Sequence, residues 1–202
     1  SDEDLKKLVG TIYSENKEKL LKWPAAYKLH HAIRGGLLMH TLSIVKLCEG
    51  VCEVYPFVDK DLLLSGAILH DIAKTLEFNV GETGLASGYS VEGNLIGHLV
   101  MGAMMVRETA EKLGTDKKRA MLLEHMILSH HGEPEFGAAV RPLFLEAELL
   151  SELDLMDARV YQIHEAIAPL KEDDFSGRLW ALDNRKIYNH GLADNKKDVD
   201  LE

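Results

Sequence analysis

The stretch D-L-L-L-S-G-A-I-L-H-D-I-A-K at residues 61–74 is apolar on almost every side of a helix and then reaches two ionisable residues. A helix that is apolar all round lies in the interior of a soluble protein, so we expect a helix over 59–74 at the centre of a bundle. His70 and Asp71 stand near its inner end, where a carboxylate is stable only when it is paired or binds a cation. The stretch therefore predicts both the core and a cation site.

The rest of the chain shows the same helical periodicity, without internal repeats. Further helices are predicted over 4–23, 37–55, 95–113, 116–129 and 142–166, with Asp116 as an N-cap. Residues 78–90 are predicted to form an exposed glycine-rich loop, and 179–188 a cluster that packs on the bundle. The fold class is therefore all-α, with about six to eight helices. We expect an N-terminal helix over 1–22, a domain over 23–190 and a polar tail over 191–202.

The composition suits one globular domain, since 46% of the 202 residues are hydrophobic and 28% are charged. A formal charge of −10 argues against a broad nucleic-acid surface and suits a metal-binding protein. No membrane partner is expected, because the apolar stretches are far shorter than the roughly 20 residues that cross a bilayer. Cys48 and Cys52 indicate reduced thiols, and residues 1–22 lack a signal-peptide pattern, so a cytoplasmic location is predicted.

Ten histidines occur in the sequence, and several fall on apolar helix faces where an unpaired imidazole would be costly. His40 is one of them, so its ring is predicted to point into the bundle. Lys74 lies four residues beyond His70 and three beyond Asp71, which places an ammonium group suited to a substrate phosphate on the same face. A helical bundle could bring these residues together with His98, His130, His131 and Asp154.

The order His, His-Asp, His, His-His and Asp resembles the HD-domain superfamily of metal-dependent phosphohydrolases. H-D-I-A-K at 70–74 is similar to its signature. L-D-L-M-D-A at 153–158 is similar to its closing aspartate motif, which favours Asp154 over Asp157 as a ligand. A closer resemblance, over about 23–188, is to the HD domain of YhaM-type 3′-to-5′ exoribonucleases. It is carried by G-A-I-L-H-D-I-A-K, Y-S-V-E-G-N-L-I-G-H, I-L-S-H-H-G-E and A-L-D-N-R.

This resemblance implies an HD-domain helical bundle that hydrolyses phosphodiester bonds with a divalent metal, commonly manganese or cobalt. In that family an N-terminal OB-fold module assists nucleic-acid binding, and residues 1–22 are too few and too helical to form one. We therefore expect either a part of a longer protein or activity on shorter substrates. Ala73 stands where the family usually has glycine, with no expected chemical consequence.

The predicted metal ligands are His40, His70, Asp71, His98, His130, His131 and Asp154. His130 is preferred over His131, which could instead contact substrate, and His125 is an alternative ligand better explained by helix packing. Asp71 is predicted to bridge two ions, because each carboxylate oxygen can bind a different one. A mixed imidazole and carboxylate shell favours manganese, iron or cobalt, with zinc and magnesium left open. The histidines predicted at the surface or behind the ligands are His30, His31, His164 and His190.

The predicted catalytic residues are Asp71 and Lys74. The hypothesis is that two cations share Asp71 and a water molecule whose lowered pKa makes it the nucleophile, while Lys74 holds a phosphate oxygen. Arg34 and Arg159 are further candidate phosphate contacts. The predicted substrate is single-stranded RNA, an oligonucleotide or a nucleotide. The alternatives are a nucleotidase or cyclic-dinucleotide phosphodiesterase, a diiron oxygenase, and a non-catalytic metal-stabilised nucleotide-binding module. The oligomeric state is left open.

Overall fold

The computed structural model describes residues 2–27, 33–195 and 197, and these residues form a helical bundle with one small sheet. The helices are α1 (Glu3–Leu20), α2 (Gly36–Val54), α3 (Lys60–Leu69), α4 (Lys74–Glu77), α5 (Val91–Leu95), α6 (His98–Leu113), α7 (Lys117–Ser129) and α8 (Leu145–Ile167). The strands are β1 (Phe78–Val80) and β2 (Ala86–Tyr89), and 3₁₀ turns occur at Pro134–Phe136 and Trp180–Leu182. The all-α prediction is confirmed.

Helix α3 lies at the centre of the bundle, in contact with α1, α2, α7 and α8. Its Leu63 and Leu69 side chains have no exposed surface, and burying each contributes about 1.5–3 kcal/mol. Gly66 permits the close approach of α7, because a Cβ at this position would lie 2.3 Å from the Met126 Cε atom. The apolar run at 61–69 therefore forms the central helix, as its pattern predicts.

The predicted continuous helix over 59–74 is wrong at its end, because α3 stops at Leu69. Residues 70–73 form tighter turns, closed by bonds from Ile72 N to Leu69 O and from Lys74 N to Asp71 O, before α4 begins. Bonds across three residues wind the backbone more tightly than an α-helix does. An apolar pattern cannot separate these two windings over one turn, since both bury similar faces.

Between α4 and α6, one sequence prediction is wrong and one helix begins later than predicted. The predicted loop over 78–90 is mostly an antiparallel hairpin in which Phe78 lies opposite Tyr89. Strands of three and four residues are too short to show an alternating pattern. The predicted helix over 95–113 is α6, which begins three residues later than predicted because Gly97, with φ of 78°, separates it from the short helix α5.

The other elements begin and end within a few residues of their predicted bounds. The Asp116 side chain accepts a hydrogen bond from Arg119 N and caps α7, as predicted. Helix α1 buries Leu8 and Ile12 in the same core as α3, and the predicted division of the chain at residue 22 stays a prediction. In the segment 179–188, Leu182 is buried and Leu179 pairs with Arg185. Among the residues that the structure describes, no helix is both long enough and apolar enough to cross a bilayer.

Replacing Gly93 with alanine is expected to destabilise the fold by about 1–3 kcal/mol, because the contact of α5 with α4 leaves no room for a side chain. A Cβ at Gly93 would lie 2.3 Å from the Glu77 carbonyl oxygen. Urea unfolding measures the change. Gly10→Ala on the exposed side of α1 is the matched control, since no atom lies within 4 Å of its Cβ position, and it is expected to be neutral or stabilising. Equal effects of the two changes would contradict this packing argument.

Candidate metal centre

Two groups of predicted ligands meet between the helices. The ligand atoms of His40, His70 and Asp154 lie within 4.8 Å of one another, as do those of His98, His130 and His131. In the first group, His40 Nε2 is 3.1 Å from both His70 Nε2 and Asp154 Oδ1. The structure therefore brings together all five histidines and the closing aspartate that the sequence singled out.

Asp71 lies between the two groups. Its Oδ2 atom is 3.5 Å from His70 Nε2 and 3.7 Å from His40 Nε2. Its Oδ1 atom is 3.4 Å from His98 Nε2 and 3.6 Å from His130 Nε2. Each oxygen thus faces a different group, which is the arrangement expected of a carboxylate that bridges two cations.

The Nδ1 atom of each of the five rings faces a hydrogen-bond acceptor. The pairs are His40 with Asp157 Oδ2 at 2.7 Å, His70 with Ala67 O at 2.9 Å, His98 with Glu77 Oε1 at 2.9 Å, His130 with Ile127 O at 2.8 Å and His131 with Phe136 O at 2.9 Å. Carbonyl and carboxylate oxygens accept, so each Nδ1 donates. A neutral ring with hydrogen on Nδ1 presents a lone pair at Nε2, which is the form that binds a metal ion.

Three buried atoms in the centre have no hydrogen-bond partner among the described residues, and they are Asp71 Oδ1, His98 Nε2 and His130 Nε2. All three are acceptors in this arrangement, and an unsatisfied buried polar atom costs about 1–3 kcal/mol. A divalent cation would satisfy all three atoms at once. The donor set of imidazole nitrogens and carboxylate oxygens therefore fits divalent metal ions.

Among the described residues, the charges in the centre and behind its rings favour cations, because four carboxylates and one ammonium group stand there. The carboxylates belong to Asp71, Glu77, Asp154 and Asp157, and the ammonium belongs to Lys74. Burial alone would raise the pKa of Asp71, but Lys74 and His70 outweigh burial and hold this pKa well below its usual range. Asp71 is therefore a carboxylate at neutral pH.

The histidine rings differ in their affinity for protons. Burial would lower the pKa of His40, but its hydrogen bonds with Asp154 and Asp157 outweigh burial and raise this pKa to about 9. Burial, together with the neighbouring His130 and His98, lowers the pKa of His131 to about 3. Burial also lowers the pKa of His130. The second group thus includes rings that are neutral and ready to bind a cation, whereas His40 would have to release a proton.

Lys74 projects into the same centre, with Nζ 2.6 Å from Asp71 Oδ2. Burial would lower the pKa of Lys74, but the Asp71 carboxylate outweighs it and raises this pKa, so the ammonium stays charged. Part of the Lys74 side chain (13%) remains exposed, as does part of Asp154 (18%), whereas His70 and His130 are fully enclosed. Lys74 and Asp154 are therefore two of the side chains through which the centre meets solvent, and they define its open side.

The remaining candidate residues lie away from the two groups of ligands, or they fall outside the residues that the structure describes. Arg34 is exposed and its side chain lies against Gly84 in the β1–β2 turn, so its phosphate contact stays a prediction, as does that of the exposed Arg159. His125 accepts a hydrogen bond from Leu143 N and lies against Phe144, which agrees with a packing role. His164 and His190 belong to neither group, and His30 and His31 lie outside the described residues.

Sequence reasoning missed Glu77 and gave Asp157 no role beyond that of the less favoured ligand. Both residues contact the Nδ1 side of a histidine, away from the cation-facing Nε2 atom. Asp157 lies three residues after Asp154 on α8, and Glu77 lies seven residues after His70. The three-residue spacing, which places both aspartates on one face of α8, is the signal that could have given Asp157 a role. No comparable spacing points to Glu77, because the turns at 70–73 separate it from His70.

A family model of the HD domain matches residues 37–159, a span that includes all the candidate ligands: His40, His70, Asp71, His98, His130, His131 and Asp154. The chain belongs to the HD domain family. The matched residues thus include both groups of candidate ligands and Asp71, which lies between them.

Curated relatives share this HD domain over most of the present chain. The 3′-5′ exoribonuclease YhaM of Listeria innocua is 37% identical over 186 residues, which are 92% of the chain and 58% of the relative. The protein of the same name from Bacillus licheniformis is 35% identical over 185 residues, with the same shares. The chain thus spans less than two thirds of the length of these relatives. No solved structure matches it significantly.

Proposed function

We propose that this HD domain is a divalent-metal-dependent phosphodiesterase that removes nucleotides from the 3′ end of single-stranded RNA or short oligonucleotides. The chemistry is supported chiefly by one observation: Asp71 lies between two groups of histidines whose Nε2 lone pairs face the centre. The direction and the substrate class are supported by the relatives named as 3′-5′ exoribonucleases.

In this proposal, His40, His70 and Asp154 would hold one cation, His98, His130 and His131 would hold the other, and Asp71 would contribute to both. When bound, such cations lower the pKa of coordinated water and offset the negative charge of a phosphodiester. Manganese, iron and cobalt suit this mixed donor set best. A cytoplasmic location stays a prediction.

The chain's own residues would bind and orient the phosphodiester. Lys74 offers an ammonium group on the open side of the centre, where it can donate to a non-bridging phosphate oxygen. Because the His70 and His130 rings are buried, substrate would reach the centre past the partly exposed side chains of Lys74 and Asp154. The hydrogen bonds at Nδ1 fix the rings, so the centre is organised before substrate binds.

The test offers the protein, with Mn²⁺, a 5′-labelled single-stranded oligoribonucleotide beside mononucleotides, a cyclic dinucleotide and bis-p-nitrophenyl phosphate. Stepwise shortening from the 3′ end is expected, with no products after chelation of the metal. The same RNA with a phosphorothioate at its last linkage is the matched control, and its shortening should be slower. Cleavage of the small substrates alone would instead indicate a nucleotide phosphohydrolase, and nucleotide binding without any product would indicate a binding module.

Metal affinity is expected to rise with pH up to about pH 9, because His40 must lose a proton to bind a cation through Nε2. With one proton released, affinity should change by about tenfold per pH unit below that pKa. Calorimetric titration with Mn²⁺ in two buffers of different ionisation enthalpy counts the protons released at neutral pH. Zero released protons would contradict the coupling of cation binding to the deprotonation of His40.

A further inference from the structure

Two carboxylates that are not themselves candidate ligands accept hydrogen bonds from the Nδ1 atoms of candidate ligand histidines. We infer that each carboxylate controls the affinity for a different cation. Glu77 is the positioning residue for the ion at His98, His130 and His131. Asp157 is the positioning residue for the ion at His40, His70 and Asp154. This inference rests on the proposed metal centre. It adds that the affinity for each of the two ions depends on a different carboxylate.

Glu77 is built into the fold as a fixed acceptor for His98. Its Oε1 atom accepts from His98 Nδ1 at 2.9 Å and also from the His98 backbone N at 3.1 Å, and the residue is 7% exposed. The Glu77 backbone is held as well, since its carbonyl accepts from Ser90 N and Gly93 packs closely on it. These contacts fix the carboxylate in one position, where it sets both the ring orientation and the tautomer of His98.

Asp157 serves His40 in the same way from a different helix. Its Oδ2 atom accepts from His40 Nδ1 at 2.7 Å, and its side chain is 13% exposed. Asp154, one helical turn earlier on α8, faces the opposite ring nitrogen of His40 at 3.1 Å. One turn of α8 therefore supplies both a candidate ligand and the acceptor behind a second ligand of the same group.

The other three rings are held differently, because His70, His130 and His131 donate to backbone carbonyl oxygens. A carboxylate acceptor makes the ring more electron-rich than a neutral carbonyl does, so it strengthens the bond from Nε2 to a cation. Each group contains one ring with a carboxylate behind it. The two carboxylates lie on α4 and α8, and each contacts the histidine of its own group.

The experiment titrates metal-free protein with Mn²⁺ by calorimetry and compares the wild type with Glu77→Gln and Asp157→Asn. Both changes keep an oxygen acceptor and remove the negative charge. In each variant one ion is expected to bind about 10- to 100-fold more weakly, while the other keeps its wild-type affinity. Glu124→Gln is the matched control, since it removes a buried carboxylate that pairs with Arg107 on α6, and both ions should bind as in the wild type.

The ions are told apart by ¹⁵N shifts of the histidine rings during titration with diamagnetic Zn²⁺. In Glu77→Gln the late-titrating rings should be His98, His130 and His131, and in Asp157→Asn they should be His40 and His70. A merely structural role would weaken both ions equally and would overturn the inference. Wild-type affinity for both ions in both variants would also overturn it. Failure of the wild type to bind any ion would overturn the proposed function as well.

Discussion

Asp71→Asn is expected to abolish tight binding of both cations and to lower kcat/KM by about 10³-fold or more. The amide has the shape of the carboxylate but lacks its charge, and this one side chain faces both histidine groups at 3.4 to 3.7 Å. Metal content after dialysis and hydrolysis of the labelled oligoribonucleotide measure the two effects.

The matched control for this change is Asp116→Asn, an aspartate at the N-terminus of α7 where asparagine caps equally well. It should retain both ions and the wild-type rate. Circular dichroism establishes that Asp71→Asn remains folded. Retention of two ions and of hydrolysis by folded Asp71→Asn would refute the bridging role.

Lys74→Met is expected to lower kcat/KM by about 10²- to 10³-fold while leaving both cations bound. Methionine keeps much of the buried stem and removes the ammonium group that lies 2.6 Å from Asp71 and reaches the open side. The affinity for metal should stay the same or increase, because a competing positive charge next to Asp71 is removed. Calorimetry with Mn²⁺ and steady-state kinetics separate the two quantities.

A charge-preserving substitution tests whether the positive charge or its geometry matters more at this position. Lys74→Arg should recover part of the lost rate, since a guanidinium can also donate to phosphate oxygens. Wild-type kcat/KM in Lys74→Met, or loss of both ions from it, would argue against a phosphate-binding role.

The sequence predicted the composition of the centre because burial and helical spacing are local properties. His40 falls on an apolar helix face, and Asp71 follows an apolar run, so both had to point inward and find polar partners. The convergence of residues 98, 130, 131 and 154 on the same point required the resemblance to a known family, since spacing alone does not fix how helices pack. The structure agrees with that convergence.

What the sequence could not supply depends on contacts between distant elements. Glu77 has a partner 21 residues away, which exists only because α4 and α6 pack together. The turns at 70–73 and the break at Gly97 change the direction of the chain within an otherwise helical pattern. The turns at 70–73 orient His70 and Asp71, and the break at Gly97 orients His98. Neither feature changes the apolar periodicity from which helices were predicted.

The candidate ligands come from positions between 40 and 154, on segments that only the folded chain holds together. A cation held there would act as a cross-link between distant parts of the sequence, and it would favour the native state over the unfolded one. A ligand present at one hundred times its dissociation constant adds about 2.7 kcal/mol to folding stability. The supply of metal would therefore help to set the fraction of molecules that stay folded, and metal starvation would lower the amount of folded protein.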